Sequence, residues 1–151
     1  PCVALEWMRA DAVLGRDIVL WLFAVVWAAD SGSYGFGRLI GGPKLAPAIS
    51  PKKTWAGLLG GIACAGAAGA ATAAVLGNNG VAPPAAFGAV LGTVAQGGDL
   101  AESWIKRRFG VKDAGTIIPG HGGLLDRVDG LMAAAVVTAL IGLLGHGSLL
   151  I

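Results

Sequence analysis

Four apolar stretches, separated by polar segments, run along this chain of 151 residues. They cover residues 18–29, 56–76, 81–95 (or 84–95) and 131–144. The second has the roughly 20 apolar residues that a helix needs to cross about 30 Å of hydrocarbon, whereas the first is short for a full span. No stretch alternates as a strand does, and an open sheet cannot survive in lipid. The pattern therefore predicts an all-α, polytopic transmembrane helical bundle with about four membrane helices.

Composition supports this membrane setting. Apolar residues make up 55% of the chain and charged residues 13%, whereas about a quarter of the residues of a soluble protein are charged. The mean hydropathy is +0.71. Gly57, Gly61, Ala65 and Gly69 place a small residue at every fourth position of the second stretch. We interpret this face as one that packs closely against another helix, in preference to a groove for lipid.

The start of the chain bears on its domain organisation. It begins at Pro1 without a basic segment ahead of an apolar one, which differs from a signal peptide followed by a mature domain. We therefore expect residues 1–151 to be the C-terminal catalytic portion of one transmembrane domain, with further helices preceding it in a longer protein.

Charge is concentrated in two of the segments between the apolar stretches. Residues 30–55 contain four basic residues and residues 98–130 contain five, whereas residues 78–84 carry no charge. Because basic residues favour the cytoplasmic side of a membrane, we expect both charged segments to lie on that side. The two cytoplasmic loops are thus predicted to form one site.

The end of the third apolar stretch carries the first candidate group, Asp99. If the helix continues to Phe109 and stops at Gly110, several polar residues share one of its faces. These residues are Asp99, Glu102, Ser103 and Lys106. An acid at the membrane boundary on such a face is a candidate functional group. The alternative is an interfacial acid that simply faces water.

Two acids at the start of the last helix indicate a metal site. Asp126 and Asp129 stand three positions apart and flank Arg127. They could merely complement the helix dipole, but the Gly-rich approach to the same helix favours the metal interpretation. Mg²⁺ takes carboxylate oxygens, waters and substrate phosphates, and no Cys/His cluster indicates zinc. We therefore predict that Asp99 and Asp126 bind Mg²⁺.

The segment that precedes the last helix suits a phosphate. It reads P-G-H-G-G over residues 119–123, and glycines such as Gly122 and Gly123 let backbone N–H groups approach an anion closely. His121 either orients a phosphate or a carboxylate, or caps its neighbours in the loop.

The earlier charged segment offers a second place for phosphates. It opens with Asp30 at the end of an apolar run, and we expect Gly-rich turns to follow. Further on, Lys52 and Lys53 can hold a triphosphate as point charges, with hydrogen bonds from Ser50 and Thr54. The alternative is that the two lysines anchor a helix start at the membrane surface.

These residues resemble the phosphatidate cytidylyltransferase family, also called CDP-diacylglycerol synthases. The family's C-terminal signature matches at Ser103, Lys106, Arg107, Lys112, Asp113, Pro119, His121, Gly122, Gly123, Asp126, Arg127 and Asp129. The D-S-G run at 30–32 and the K-L-A-P-A-I-S-P-K-K-T-W block at 44–55 are also similar, so that the resemblance covers residues 27–130. The chain departs from the family at Ala56, where many members have Glu, and at Ala114 and Gly130, where Ser is common.

The resemblance implies an integral membrane enzyme that joins CTP and phosphatidate, giving CDP-diacylglycerol and pyrophosphate with Mg²⁺. It leaves a second cation and a homodimer open, favours a bacterial inner membrane with the site facing the cytoplasm, and implies membrane lipids but no nucleic acid as partners. The expected catalytic residues are Asp99, Asp126, Lys106, Arg107, Arg127 and His121. The expected substrate-binding residues are Asp30, Ser50, Lys52, Lys53, Thr54, Ser103, Lys112, Asp113, Gly122, Gly123 and Asp129.

Three other functions stay open at this point. One is a CTP-dependent transferase that acts on another lipid phosphate or a polyprenol. A second is a cation-conducting transporter lined by Asp30, Asp99 and Asp126, although such a protein would carry charges along several spans. The third is a catalytically inactive membrane partner.

Overall fold

The computed structural model describes residues 1–78, 80–111 and 125–144, and for residues 125–127 it describes the backbone alone. Its elements are helices α1 (Cys2–Arg9) and α2 (Gly15–Leu39), strands β1 (Lys44–Ala46) and β2 (Ser50–Thr54), and helices α3 (Trp55–Val75), α4 (Ala82–Arg108) and α5 (Leu125–Leu144). Most of the described residues are helical, which confirms the predicted helical class.

Among the described residues, helices α2 and α3 are long and apolar enough to cross a membrane. Residues 128–144 of α5 form a shorter apolar helix. The number of four membrane helices stays a prediction.

Helix α2 corrects the expectation of turns after Asp30. The Gly-rich segment continues the helix as far as Leu39. Two of its glycines allow close packing on α3: a Cβ added at Gly32 would lie 2.7 Å from the Cys64 Sγ, and one at Gly37 would lie 3.5 Å from the Gly57 Cα. Glycine is more frequent in membrane helices than in soluble ones, because it lets neighbouring backbones approach. Gly32 and Gly37 therefore mark a helix contact, whereas a Cβ at Gly35 would meet nothing within 4 Å.

A short antiparallel hairpin, β1 with β2, connects α2 to α3 and was missed by the all-helical prediction. Lys44 pairs with Thr54, and Ala46 pairs with Ser50. Gly41 and Gly42, with φ of 68° and 90°, turn the chain from α2 into β1, in a conformation that other residues rarely adopt. The hairpin lies outside the apolar stretches, so the exclusion of open sheets from lipid does not apply to it.

The sequence pattern also fails to predict helix α1. Its Met8 is only 3% exposed and belongs to the same apolar core as Trp21 and Leu22 of α2. Between the two helices, the Asp11 carboxylate accepts hydrogen bonds from the backbone N–H groups of Leu14 and Val13, at 2.8 and 2.9 Å. These bonds hold the pKa of Asp11 below its usual value.

Helix α4 ends where the sequence predicts. Arg108 is its last residue, and Gly110 follows with a φ of 68°. The N–H of Gly110 donates to the Arg107 carbonyl and that of Val111 to the Lys106 carbonyl, at 3.2 and 3.0 Å. This pair of bonds is a Schellman motif, which satisfies the last carbonyls of a helix.

The small-residue face of α3 packs closely against another helix, as predicted, and the structure shows that it contacts two helices at once. Gly57, Gly61, Ala65 and Gly69 are all buried. A Cβ at Gly61 would lie 2.8 Å from the Ala29 carbonyl oxygen of α2, and one at Gly69 would lie 2.5 Å from the Pro84 carbonyl oxygen of α4. Distances this short leave no room for a side chain. Helix α3 is therefore held between α2 and α4 at backbone contact.

The close packing of α3 and α4 predicts different effects for two glycine substitutions in α4. A Cβ at Gly88 would lie 2.7 Å from the Ala65 carbonyl oxygen, whereas a Cβ at Gly97 would meet nothing within 4 Å. We expect Gly88→Ala to lower the free energy of unfolding by about 1–3 kcal/mol, because the backbones must separate. Gly97→Ala is the matched control and should be neutral or stabilising by up to about 1 kcal/mol. Unfolding in detergent, followed by circular dichroism, measures both. Equal stability of the two variants would contradict the packing.

Candidate functional site

A cavity of about 790 Å³ is lined by the C-terminal halves of α2 and α4, the hairpin, and the N-terminal ends of α3 and α5. Acidic side chains from three helices line it: Asp30, Asp99 and Asp129. Basic side chains line it as well: Arg38, Lys52, Lys53 and Lys106. The two charged segments of the sequence thus contribute to one cavity.

An ion pair joins the hairpin to α4 at this cavity. The Lys53 Nζ lies 2.7 Å from the Asp99 Oδ2, with 17% of the Lys53 side chain and 38% of the Asp99 side chain exposed. The same ammonium donates to the Gln96 carbonyl oxygen at 3.4 Å. The Ser103 hydroxyl donates to the Asp99 Oδ1, also at 3.4 Å. Both oxygens of Asp99 are therefore oriented by neighbouring side chains.

The predicted polar face of α4 is confirmed. The Ser103 bond to Asp99 runs along it, and so does an ion pair between the Lys106 Nζ and the Glu102 Oε1 at 3.6 Å. The side chains of Lys106 and Glu102 are each 15% exposed. Asp99 and Lys106 line the cavity from this face, because residues seven apart lie on one side of a helix.

The three acids make the cavity a candidate for a cation. The charges of Asp129 and Asp99 repel that of Asp30, and Lys53 attracts it. Carboxylate oxygens are the donors that Mg²⁺ prefers, so the chemistry of the donor set fits. Within the described residues, no group of three or more His, Cys, Asp or Glu side chains is arranged to hold a metal ion. The side chain of Asp126 lies outside the description, and Mg²⁺ bound by Asp99 and Asp126 stays a prediction.

Three predicted substrate-binding or catalytic residues make structural contacts, and their predicted roles stay predictions. The Thr54 side chain, 4% exposed, caps α3 by accepting from the Gly57 N–H at 3.1 Å, although it also borders the cavity. Ser50 pairs with Ala46 in the hairpin and does not line the cavity. Arg107 is exposed and donates to the carbonyl oxygens of Ile49 and Val111, each at 3.4 Å. It holds the hairpin against the end of α4, away from the cavity wall.

The side chains of several other predicted residues lie outside the description. Those outside the described residues are Lys112, Asp113, His121, Gly122 and Gly123. Asp126 and Arg127 belong to the first turn of α5, for which only the backbone is described. Their roles stay predictions.

The cavity also contains polar residues that the sequence analysis missed, namely Ser33, Tyr34, Arg38 and Gln96. The Gln96 Nε2 donates to the Ser33 hydroxyl at 2.5 Å, and that hydroxyl donates to the Ala29 carbonyl oxygen at 2.8 Å. Helical spacing in the sequence could have identified such residues. Tyr34 and Arg38 follow Asp30 by four and eight positions, and Gln96 precedes Asp99 by three, so each shares a face with a predicted acid.

Helices α2 and α3 of the described chain are apolar enough to cross a membrane, and a cavity with both charge signs lies at their ends. This architecture defines a helical membrane protein that can receive a charged polar ligand. A model of the cytidylyltransferase family matches residues 2–144. The chain belongs to the cytidylyltransferase family, and the resemblance found in the sequence is confirmed.

Individual relatives agree with this assignment. A phosphatidate cytidylyltransferase of Brucella suis is 50% identical over 145 residues, which are 93% of this chain and 52% of the relative. The proteins of that name from Haemophilus influenzae and Staphylococcus haemolyticus are 43% and 44% identical, over 86% and 78% of this chain and 47% and 46% of the relatives. The chain spans about half the length of the curated relatives it matches.

The ion pair between Lys53 and Asp99 predicts unequal roles for two adjacent lysines. Lys53→Gln should lower the free energy of unfolding by about 1 kcal/mol, since the pair is partly solvated. Lys52→Gln is the control: Lys52 is exposed, and its loss should cost less than about 0.5 kcal/mol. Chemical unfolding in detergent measures both, and a double-mutant cycle with Asp99→Asn isolates the pair. Equal losses for the two lysines, or strict additivity in the cycle, would show that the pair contributes nothing.

Proposed function

We propose that this protein transfers a cytidylyl group from CTP to phosphatidate, giving CDP-diacylglycerol and pyrophosphate. The observation that carries the proposal is the cavity in which Lys52, Lys53 and Lys106 face Asp99 and Asp129, in a chain of the cytidylyltransferase family. Relatives that cover most of the chain are named phosphatidate cytidylyltransferases. A cavity of this charge pattern suits two anionic substrates.

The reaction requires little acid–base chemistry. The phosphate of phosphatidate is already ionised, so one of its oxygens can attack the α-phosphorus of CTP without a strong general base. The new bond joins that oxygen to the α-phosphorus, and the bond from the α-phosphorus to its bridging oxygen breaks as pyrophosphate leaves. The main barrier is the approach of two anions, which positioning and fixed positive charge can lower.

The basic residues of the cavity supply that charge. In the proposed mechanism Lys52 and Lys106 bind phosphate oxygens of CTP, and Lys53 contributes a third ammonium group whose position Asp99 fixes. Such preorganised charges need not reorient during the reaction. Arg107 acts indirectly by holding the hairpin, because its contacts are to backbone carbonyls. Arg127, Lys112 and His121 keep their predicted roles beside the phosphates as part of the proposal.

Mg²⁺ is part of the proposal because the cavity offers carboxylate oxygens. We assign its binding to Asp99 and Asp126, with Asp30 and Asp129 as further acids nearby. When bound, the ion supplies positive charge to the triphosphate of CTP and to the leaving pyrophosphate. Asp113 and the glycines Gly122 and Gly123 complete the proposed substrate-binding set.

The membrane placement is proposed on the same basis. We infer that α2, α3, α4 and α5 cross the membrane and that the cavity opens to the cytoplasm. Two of these helices are apolar enough by length and composition, and the basic residues gather near the cavity, as expected for a cytoplasmic face. CTP can then enter from water and phosphatidate from the bilayer.

The proposal predicts that Asp99→Asn or Asp126→Asn in the native full-length protein lowers CTP- and phosphatidate-dependent pyrophosphate release by at least about 100-fold, the scale on which single electrostatic groups act in catalysis. Asp17→Asn is the control, because Asp17 lies in the first turn of α2 and pairs with Arg16; its activity should stay within about twofold of the wild type. Membrane fractionation checks that each variant inserts.

Three outcomes would contradict the proposal. Near-normal turnover in both variants of Asp99 and Asp126 would remove the metal assignment. Turnover with another lipid phosphate or a polyprenol, but not with phosphatidate, would identify a related transferase. Ion flux through vesicles without any pyrophosphate release would indicate a transporter.

A further inference from the structure

Arg38 differs from two of the other cations of the cavity in its electrostatic partners. The ammonium groups of Lys53 and Lys106 each have a carboxylate within 4 Å. In the part of the chain that the structure describes, no carboxylate lies within that distance of the Arg38 guanidinium. A cation that lines a cavity without a carboxylate partner keeps its charge available for an anionic ligand.

Tyr34 adds a second donor beside this guanidinium. The Arg38 Nη1 donates to the Tyr34 hydroxyl oxygen at 3.1 Å, one helical turn away, and both residues line the cavity. A phenol can donate one hydrogen bond while it accepts another. The Tyr34 O–H and the remaining N–H groups of Arg38 therefore form a cluster of donors next to the cavity. A guanidinium binds phosphate in a forked, two-bond geometry that an ammonium cannot reproduce.

The position of these two residues indicates which anion they receive. Arg38 lies in the last turn of α2, one of the two helices apolar enough to cross a membrane. The residues around it are exposed and apolar: Phe36, Leu39 and Ile40 are 42%, 86% and 66% exposed. The end of a membrane helix is the level at which lipid headgroups lie. Lys52, by contrast, reaches the cavity from strand β2 of the hairpin and not from a candidate membrane helix.

We propose that Arg38 and Tyr34 bind the phosphate monoester of the lipid acceptor and place it beside the triphosphate site. The inference rests on the proposed function and adds to it a separate site for the lipid phosphate on α2. A purely structural role is the competing explanation, because a basic residue in the last turn also interacts favourably with the helix dipole and with interfacial water.

Kinetics of the native full-length protein in mixed micelles test the proposal. For Arg38→Gln we expect the KM for phosphatidate to rise at least about tenfold, the equivalent of 1.4 kcal/mol of lost binding, while the KM for CTP stays within about twofold. Arg38→Lys keeps the charge but loses the fork, so it should still raise the KM for phosphatidate about threefold or more. Tyr34→Phe should show the same selective effect at smaller size. Arg108→Gln is the matched control, since Arg108 is an exposed arginine in the last turn of α4 that does not line the cavity.

The comparison of the KM for phosphatidate with the KM for CTP identifies the ligand of this site. A rise in the KM for CTP alone would assign Arg38 to the nucleotide and overturn the proposal. Unchanged KM values would show a structural role and would also overturn the proposal. So would a loss of thermal stability in Arg38→Gln without a selective rise in the KM for phosphatidate.

A binding measurement separates this inference from the proposed function. Short-chain dihexanoyl phosphatidate is titrated into the solubilised protein without CTP, with inorganic phosphate as a second probe. If the wild type binds the lipid and Arg38→Gln binds it at least about tenfold more weakly, the lipid site stands even where no turnover occurs. Tighter binding of inorganic phosphate than of the lipid, or no binding of the lipid by the wild type, would contradict it.

Discussion

The contact of α3 with the backbones of both α2 and α4 is the constraint on which the rest of the structure depends. Gly57 and Gly61 face α2, and Gly69 faces α4, at distances that admit no side chain. Beside the cavity, Gly37 of α2 lies against Gly57 of α3, and both line the cavity. Larger residues there would separate the helices and occupy space that is now open to a ligand. Gly37 and Gly57 therefore affect both the helix packing and the volume of the cavity.

The distribution of charge follows from this packing. Because α3 holds α2 and α4 together, Asp30 and Arg38 of α2 face the same cavity as Asp99 and Lys106 of α4. Charges near an apolar region are costly unless they pair or act on a ligand. Lys53 of the hairpin meets Asp99 and reduces this cost on one side of the cavity. The charges that keep no carboxylate partner among the described residues, such as Arg38, are then those best placed to meet an anionic substrate.

Local patterns in the sequence were sufficient to predict part of the fold. The apolar run of α3, its small-residue face and the stop of α4 at Gly110 follow from length, spacing and turn chemistry. The length of α2 could not be predicted in this way. Glycines after Asp30 are typical of turns in isolation, and they favour a helix only when another helix packs on them. The hairpin was missed because its strands are short and contain Pro51, and proline lacks the N–H that a regular sheet uses.

The site was predicted less completely than the fold. The shared face of Asp99 and Lys106 could be derived from helical spacing alone. The pairing of Lys53 with Asp99 could not be derived from the sequence, because these residues are far apart in the chain and only tertiary packing brings them together. The contact of Arg107 with Ile49 has the same origin, whereas the cap that Thr54 forms on the Gly57 N–H is a local contact at the start of α3. A polar residue of a family signature can form hydrogen bonds with the backbone. Only its contacts in the structure distinguish that role from binding a substrate.

The central claim is that the α-phosphoryl group of CTP, with its nucleoside, is transferred to a lipid phosphate at this cavity. Its most direct test is to incubate the native full-length protein and phosphatidate with CTP that carries radioactive phosphorus at either the α or the γ position, and then to separate lipid from water-soluble products. The account predicts that the α label enters the lipid and that the γ label leaves entirely in pyrophosphate. Transfer of the γ label to the lipid, or no labelling of the lipid from either position, would contradict it.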